Sequence, residues 1–570
     1  MTAPTPTGTR KRRLRDRLPV RLRQHWKPVG ALAVGLAVMV AFLGDVRISP
    51  YVTSASRVEA DTITDDIPGT VDLYDTSTAH SIQLTYQQTD FDKMMKEFKE
   101  DGTKDWIKAD LVIDGVYLND VGIRLKGNST LMSLRGNKGM PGGGNMPPGA
   151  PQGEGAGRQA QDGRTGGAGG GDAETGAPGG GAGPGGAGGR AGGPGGMVQY
   201  DLSAEKPEEL PWLVKIDEYV EGRAYQGERE ISLRPGANGQ VPLNEALSLS
   251  LTDTSGQKAE RYAFTSVEVN DRPAVTRLMV ENPDTDYADE TDDDGDAVLY
   301  KARAGGDFSY QGDDPSEYES AFKQLNKKGS QDLEPVMKLI KWVENASDEE
   351  FARDLDQYVD VESLAAYVAT QNLLLNFDDM AGPGKNYLLR YDLDTKKFTV
   401  LGWDYNLTFS GDATAGPDDS TGMGGAMPGG GEGGDGQQPS GAPEGMPEGM
   451  PEGLPEGMPE GFPEGMPQGG PGGGDGEGQA GGPGGRMADH PLKTKFLESD
   501  AFDEVYLAAY KKLYQEFYAS GTAAKEVKAI AGQARAAGAG SKELDTAVTQ
   551  LTKTVTDRAE ALAKDKAVTG

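Results

Sequence analysis

Residues 371–410 read QNLLLNFDDMAGPGKNYLLRYDLDTKKFTVLGWDYNLTFS. An apolar run that closes a helix gives way to Asp378 and Asp379. Two strand-like segments follow, NYLLRYDL and KKFTVLGW, meeting at Asp394-Thr395. A hairpin brings its outer ends together, so Asn386 at its entrance and Asp404 at its exit are expected to be neighbours, with Asp378 close by. Charged and amide groups packed this tightly against apolar runs either cap and turn the backbone or hold a ligand. As caps, Asp378 and Asp379 would end the helix and Asp404 would open a turn. As ligands, converging carboxylate and amide oxygens suit a hard cation such as Mg²⁺, which keeps waters and takes phosphate oxygens as further ligands.

The chain has 570 residues, but its 84 Gly and 35 Pro are concentrated in two blocks that build no core. What remains suffices for one large domain or two modest ones. A formal net charge of −32 excludes nucleic acid as a partner class, because phosphate backbones need a basic face. Cysteine is absent, which removes disulfides, thiolate zinc sites and a Cys nucleophile. The N-terminus runs the other way: RKRRLRDRLPVRLRQHWK carries nine Lys/Arg, and 16 uncharged residues follow from Val29 to Gly44. As a helix that run is roughly 24 Å long. Asp45-Val46-Arg47 stands where a cleaved signal would need small residues. The segment therefore reads as an uncleaved signal anchor: 1–28 basic and cytoplasmic, 29–44 a single transmembrane helix, and the main domain extracytoplasmic at the cell membrane.

Residues 45–71 read as a linker and 72–410 as the main domain. LVIDGVYLNDVGIRLKGNS (111–129) alternates as a hairpin turning at Asp114-Gly115, and YAFTSVEVNDRPAVTRLMVE (262–281) reads as another. Strand-like sequence also occupies LPWLVKIDEYV (210–220) and REISLRP (229–235), and NEALSLSLTDTSG (244–256) reads as a short helix. Residues 141–196, almost pure Gly, Ala and Pro, are expected to be a disordered insertion between strands of one sheet. VDVESLAAYVATQNLLLN predicts a helix with Val361, Leu364, Ala365, Val368 and Leu375 on one face. Residues 411–488 form a second low-complexity insertion with six PEGx units from Pro443 to Met466. Amphipathic helices over 489–570 close the domain. In 282–298, aligning Asp292 and Asp294 as a calcium loop puts Lys301 where a bidentate Glu is required, so the stretch reads as a solvated acidic loop.

The order carboxylate, amide, hairpin, carboxylate is also the order of the catalytic Asp, the metal-binding Asn and the metal-binding Asp in protein kinases. The residues go further. NLLLNFDD, KNYLLRYD and FTVLGWDYN, with GIRLKGNST (122–130), EVNDRPAVTRLMVE (268–281) and AVLYKA (297–302), resemble the motifs of the CotH (spore coat protein H) family of atypical kinases. The resemblance covers roughly 75–410 and extends to the C-terminal helices. It implies an α+β, two-lobed, atypical protein-kinase-like domain that transfers phosphate from ATP, with Mg²⁺, to a protein substrate.

Residue by residue, the resemblance makes Asp378 the catalytic carboxylate, Asp404 the magnesium ligand and Asn386 a second ligand. It places Tyr300 and Phe398 against adenine, and it offers Lys126 and Lys215 for phosphate contact, with Glu281 or Glu245 to orient one of them. Two features depart from the family pattern. AGPG lengthens the gap between Asp378 and Asn386, and Asn406 replaces the last carboxylate of W-D-x-D, so that position carries no charge and cannot act as a base. The rival readings are a non-catalytic envelope or spore-coat assembly protein with the same fold, and an exported adhesive or carbohydrate-binding module.

Overall fold

The computed structural model describes residues 62–127, 129–135, 200, 202–235, 241–292, 296–419 and 490–570. The expected membrane helix at 29–44, the insertion 141–196 and all of the second block beyond Asp419 lie outside them. Among the described residues no helix is long and apolar enough to cross a membrane. The architecture is mixed α and β throughout.

Seven strands close into a barrel: β2 (His80–Tyr86), β3 (Ile107–Ile113), β4 (Val116–Leu125), β5 (Trp212–Lys215), β7 (Glu230–Arg234), β9 (Val275–Glu281) and β8 (Tyr262–Val269), in that order. Neighbours are antiparallel except at the seam, where β8 runs parallel to β2. Alternation sets the faces: in β2 every second residue is buried, and Ile82, Leu84 and Tyr86 join the barrel core. Helix α1 (Gln88–Asp101) adds Phe91, Met94, Met95 and Phe98, spaced as one helical stripe, and stops at Gly102, whose φ of 89° suits glycine. Trp212 and Tyr86 pack against Phe91, and the Trp212 indole N–H donates to Pro207 O at 2.9 Å. Both expected hairpins form, turning at Asp114-Gly115 and between β8 and β9. Strand β4 pairs with β5, Gly122 opposite Lys215, so 141–196 does connect neighbouring strands of one sheet.

Two expectations differ here. The strand predicted over 210–220 ends at Lys215, because the next residues turn and deliver β6 (Arg223–Tyr225). That strand pairs in parallel with β1 (Asp65–Ile67), so structure begins inside the expected linker 45–71.

A second core gathers around a four-stranded antiparallel sheet, β11 (Phe322–Gln324), β10 (Ala297–Ala302), β12 (Tyr387–Asp392) and β13 (Phe398–Gly402). The helices packed into this core are α3 (Leu243–Thr254), α5 (Glu334–Asn345), α7 (Val361–Leu373), α8 (Pro491–Leu497), α9 (Asp503–Tyr514), α10 (Thr522–Ala536) and α11 (Ser541–Leu562). The shorter α6 (Asp348–Asp354) and α12 (Lys566–Thr569) add Phe351 and Val568 to it, while α2 (Met132–Arg135) and α4 (Thr285–Glu290) lie in connections. Helix α7 is predicted to bury one face; instead Tyr367, Ala369 and Thr370 are buried too, because α9 covers one side and β13 another. Helix α3 is buried nearly all round, Glu245, Ser248 and Thr252 included. Asp292 is buried and paired with Arg390 and Lys327 rather than solvated.

The domain also runs further than residue 410. The fully buried Arg558 donates to Ala413 O, Ala415 O and Asn372 O. Asn372 Nδ2 donates to Gly416 O and Asp419 O, and Tyr506 donates to Pro417 O at 2.7 Å. Residues 411–419 are thus a strap across α7, α9 and α11, not part of a spacer.

Candidate phosphate and metal site

Four chain ends meet between the barrel and the second sheet: the exit of β4 (Lys126), the exit of β7 (Arg234), the first turn of α3 (Glu245) and the exit of β13 (Asp404). In β7, Ile231 and Leu233 enter the barrel core, so Glu230, Ser232 and Arg234 form a polar stripe on the opposite face. Helix α3 is clipped to the segment after Asp404 by Asn244 Nδ2 donating to Asn406 O at 2.9 Å and by the Ser248–Thr408 hydroxyl pair at 2.8 Å. That clip holds Glu245 beside Arg234, at 3.0 Å, while Arg234 also lies 3.1 Å from Asp404.

Asp404 sits at φ 57°, ψ 63°, a left-handed conformation uncommon outside glycine but tolerated by Asp. It precedes a single 3₁₀ turn, Tyr405–Leu407, yet makes no side-chain cap. Its amide instead donates to Glu260 Oε1 at 3.3 Å, and its carboxylate faces Arg234. The capping explanation therefore fails for Asp404. Backbone held in an unusual region without local use is the pattern expected where geometry serves a site.

Cations and acids alternate around this point. Lys126 donates to Asn282 Oδ1 at 2.6 Å, and burial, with Arg234 and Lys301 nearby, holds its pKa well below the usual lysine value. Lys301 lies 3.5 Å from the centre of the Trp403 ring, and burial brings it down to about 7. Glu245 and Glu260 are both raised to about 7, first by burial and only partly offset by Arg234. Lys126, Arg234, Glu245, Asp404, Thr130 and Tyr200 all line one cavity of about 40 Å³. That space admits a few water positions, far below the roughly 300 Å³ of a small-molecule pocket. A nucleotide would need the barrel and the helical part to part along this seam. A larger groove of about 970 Å³ between α1 and the β8–β9 turn holds charges of both signs in near balance, and none of the site residues lines it.

Asp378 follows α7 and is buried. Gly384 N donates to its Oδ1 at 2.6 Å, and Asn386 Nδ2 donates to its backbone oxygen at 2.8 Å and its Oδ2 at 3.2 Å. The AGPG segment wraps it so closely that a Cβ on Gly382 or Gly384 would come within 2.5 Å of Asp378 atoms. Burial raises the Asp378 carboxyl to about 6 against the pull of Gly384, with Asp404 and then Asp379 adding to the rise. Asp379 is architectural: it accepts from Ala381 N and pairs with Lys493 of α8.

The site residues expected from sequence thus divide. Lys126 and Asp404 share the cavity, and Asp378 and Asn386 touch each other. Tyr300 and Phe398 are brought together, with ring centres 6.4 Å apart at 53°, but inside the second core; the Tyr300 hydroxyl donates to Asp332 O at 2.7 Å, and no parallel slot for a purine lies between the rings. Lys215 pairs with Glu218 at 2.9 Å and Asp217 at 3.8 Å, outside the cavity lining. Glu281 faces away and pairs with Arg261 at 2.6 Å, so of the two glutamates it is Glu245 that reaches the site, where it meets an arginine and not a lysine.

Sequence reasoning missed Arg234, Glu260, Lys301 and Trp403. For two of them a signal existed. REISLRP and AVLYKA are strands buried on both sides that nevertheless carry a cation, and alternation sends Lys301 to the face opposite Tyr300.

Residues 202–561, well over half the chain, match the family model described as CotH kinase protein. Asp378, Asn386, Asp404, Lys301, Arg234 and Glu245 fall inside the match, and Lys126 lies before it. No curated protein matches the chain.

Proposed function

The chain belongs to the CotH kinase protein family, and on that premise we propose that it transfers the γ-phosphoryl group of ATP, with Mg²⁺, to a protein hydroxyl in the cell envelope or spore coat. One observation carries the reading: the buried polar atoms around Asp404 that lack a hydrogen-bond partner among the described residues. Ion-paired Asp404 Oδ1 and Arg234 Nε aside, they are Glu245 Oε2, Glu260 Oε2, Ser232 Oγ, Thr130 Oγ1 and Trp403 Nε1. Each such atom costs about 1–3 kcal/mol when left unmet. A stable fold concentrates them where a charged ligand meets them.

The donor set fits the proposed ion. Asp404, with Glu245 or Glu260, would hold Mg²⁺ through hard anionic oxygens, and Asn386 would add a carbonyl oxygen while its amide nitrogen stays on Asp378. Mg²⁺, when bound, would offset charge on the phosphates. Lys126, Arg234 and Lys301 would bind phosphate oxygens directly. Asp378 would orient the acceptor hydroxyl and take its proton as the new O–P bond forms and the bond to ADP breaks. The barrel and the helical part would then be the two lobes of an atypical kinase, closing on the nucleotide along the seam.

The loop bonded over Asp378 favours a second reading, a non-catalytic assembly protein that keeps the fold. Purified protein incubated with γ-labelled ATP and Mg²⁺ separates the two. Mg²⁺-dependent label on the chain or on an added acceptor supports transfer. Absence of both labelling and Mg·ATP binding hands the fold to assembly. We further propose that residues 29–44 anchor this domain outside the cytoplasm.

A further inference from the structure

Behind the pocket, three carboxylates converge: Glu228 in the turn before β7, Glu281 at the end of β9 and Glu290 at the end of α4. Their oxygens lie within 4.8 Å of one another, the first two buried and the third exposed. Arg261 Nη2 sits among them, 2.5 Å from Glu228, 2.6 Å from Glu281 and 3.0 Å from Glu290. One guanidinium opposes three acids. An independent feature marks the same place. Tyr74 is only 8% exposed, and its hydroxyl has no hydrogen-bond partner among the described residues. Its ring lies under Arg261, 5.0 Å from the guanidinium carbon, and after burial itself Glu228 and Glu281 act most strongly on its hydroxyl. A buried phenol oxygen that has no hydrogen-bond partner among the described residues, on a ring packed against the arginine at the centre of the acid cluster, offers a further ligand atom there.

We propose that Glu228, Glu281, Glu290 and the Tyr74 hydroxyl form a divalent-cation site of calcium size, which the ion enters by displacing Arg261. Oxygens within 4.8 Å of one another can share one ion with bonds of about 2.4 Å, and an all-protein set of oxygens suits Ca²⁺ better than Mg²⁺, which keeps several waters. The Arg261 side chain is 43% exposed, so it can swing into water. The two strands that supply this cluster also face the pocket. Glu260, one residue before Arg261, accepts from Asp404 N, and Asn282, one residue after Glu281, accepts from Lys126. An ion here would brace both strand ends from behind. The site rests on its own geometry and stands whether or not the chain transfers phosphate.

The test is Ca²⁺ titration by calorimetry, with Tb³⁺ luminescence as a second readout, on the full chain. Binding should persist in Asp404→Asn, which separates this site from the pocket. It should weaken about ten-fold or more in Glu290→Gln, an exposed position that leaves the fold in place. Tyrosine-sensitised Tb³⁺ emission should fall in Tyr74→Phe. Arg261→Ala, which removes the competing cation, should tighten Ca²⁺ about ten-fold and make its melting temperature more calcium-dependent than the parent's. If Arg261→Ala does not fold, Glu290→Gln decides. No Ca²⁺ binding by the parent, equal binding by Glu290→Gln, or weaker binding by folded Arg261→Ala overturns the proposal.

Discussion

Asp404→Asn isolates charge from shape at the centre of the pocket. Asn is as good as Asp in the left-handed conformation at this position and as good at a cap, so the backbone has no reason to move. What changes is the field. Arg234 lies 3.1 Å from Asp404, and at an effective dielectric of about 20 the direct attraction is ~5 kcal/mol. Desolvation of both groups offsets most of that, and Glu245 at 3.0 Å still pairs with Arg234 in the variant. The expected stability loss is therefore about 1–2 kcal/mol, read as a small shift in urea midpoint with an unchanged slope. Ligand binding should suffer far more, because the most exposed of the clustered carboxylates is gone. Mg²⁺-dependent ATP affinity, measured by calorimetry, is expected to drop about 100-fold, or ~2.8 kcal/mol. Affinity within two-fold of the parent would refute the metal role. So would a variant that loses 4 kcal/mol or more of stability, since Asp404 would then be a structural partner of Arg234 and nothing else.

Asp378→Asn should leave Mg·ATP affinity near the parent's and lower transfer by at least 100-fold. The Asp378 carboxyl is raised to about 6, and a proton acceptor works only when ionised, so the parent's transfer rate should be full above that pH and fall as pH drops through it; a flat profile from pH 5 to 8 removes the base role. Lys126→Met and Lys301→Met should each weaken ATP binding about ten-fold or more, while Lys215→Met, already paired with Glu218, should not; equal effects from all three would return Lys215 to the site. Deleting 421–484 should leave the unfolding midpoint unchanged, whereas Arg558→Met, which frees the strap 411–419, should cost about 3 kcal/mol, both read by urea unfolding. A reporter fused after Val46 should be active only outside the cytoplasm; cytoplasmic activity rules out the anchor orientation.

How far the sequence reached depends on what kind of physics each feature obeys. Local alternation and turn chemistry placed both barrel hairpins, the β12–β13 hairpin and α7, because each is decided within some twenty neighbouring residues. Closure of the barrel was out of reach. The parallel pairing of β2 with β8 joins His80 to Thr265 across a span that includes the first low-complexity block. The strap 411–419 escaped for a different reason: its composition is that of a spacer, and it is ordered by Arg558 from the far end of the chain. In the site, the hairpin argument holds for the backbone, since Tyr387 pairs with Gly402, but the side chains divide: Asn386 bonds Asp378, while Asp404 faces Arg234 in the cavity.

Two of the site expectations that differ, Tyr300 and Glu281, share one cause, and it is instructive for the chemistry. Motif resemblance fixes which segment matters; only the fold fixes which side of that segment is used. In AVLYKA, Tyr300 lies in the core and Lys301, one residue on, lies on the opposite face over Trp403, within the field of Asp404 but outside the cavity lining. The same one-residue alternation turned Glu281 to the rear of β9 and put Asn282 beside Lys126. The pairs Glu260–Arg261 and Glu281–Asn282 therefore present opposite faces of the same two strands to two different charged clusters. A substitution that shifts either strand by a fraction of an ångström must disturb both clusters at once. That coupling makes single-site effects on nucleotide binding uninterpretable without a fold-preserving control such as Lys215→Met. It is also why Asp404→Asn, which leaves every strand residue in place, is the substitution that separates a phosphate site from an ion-paired seam.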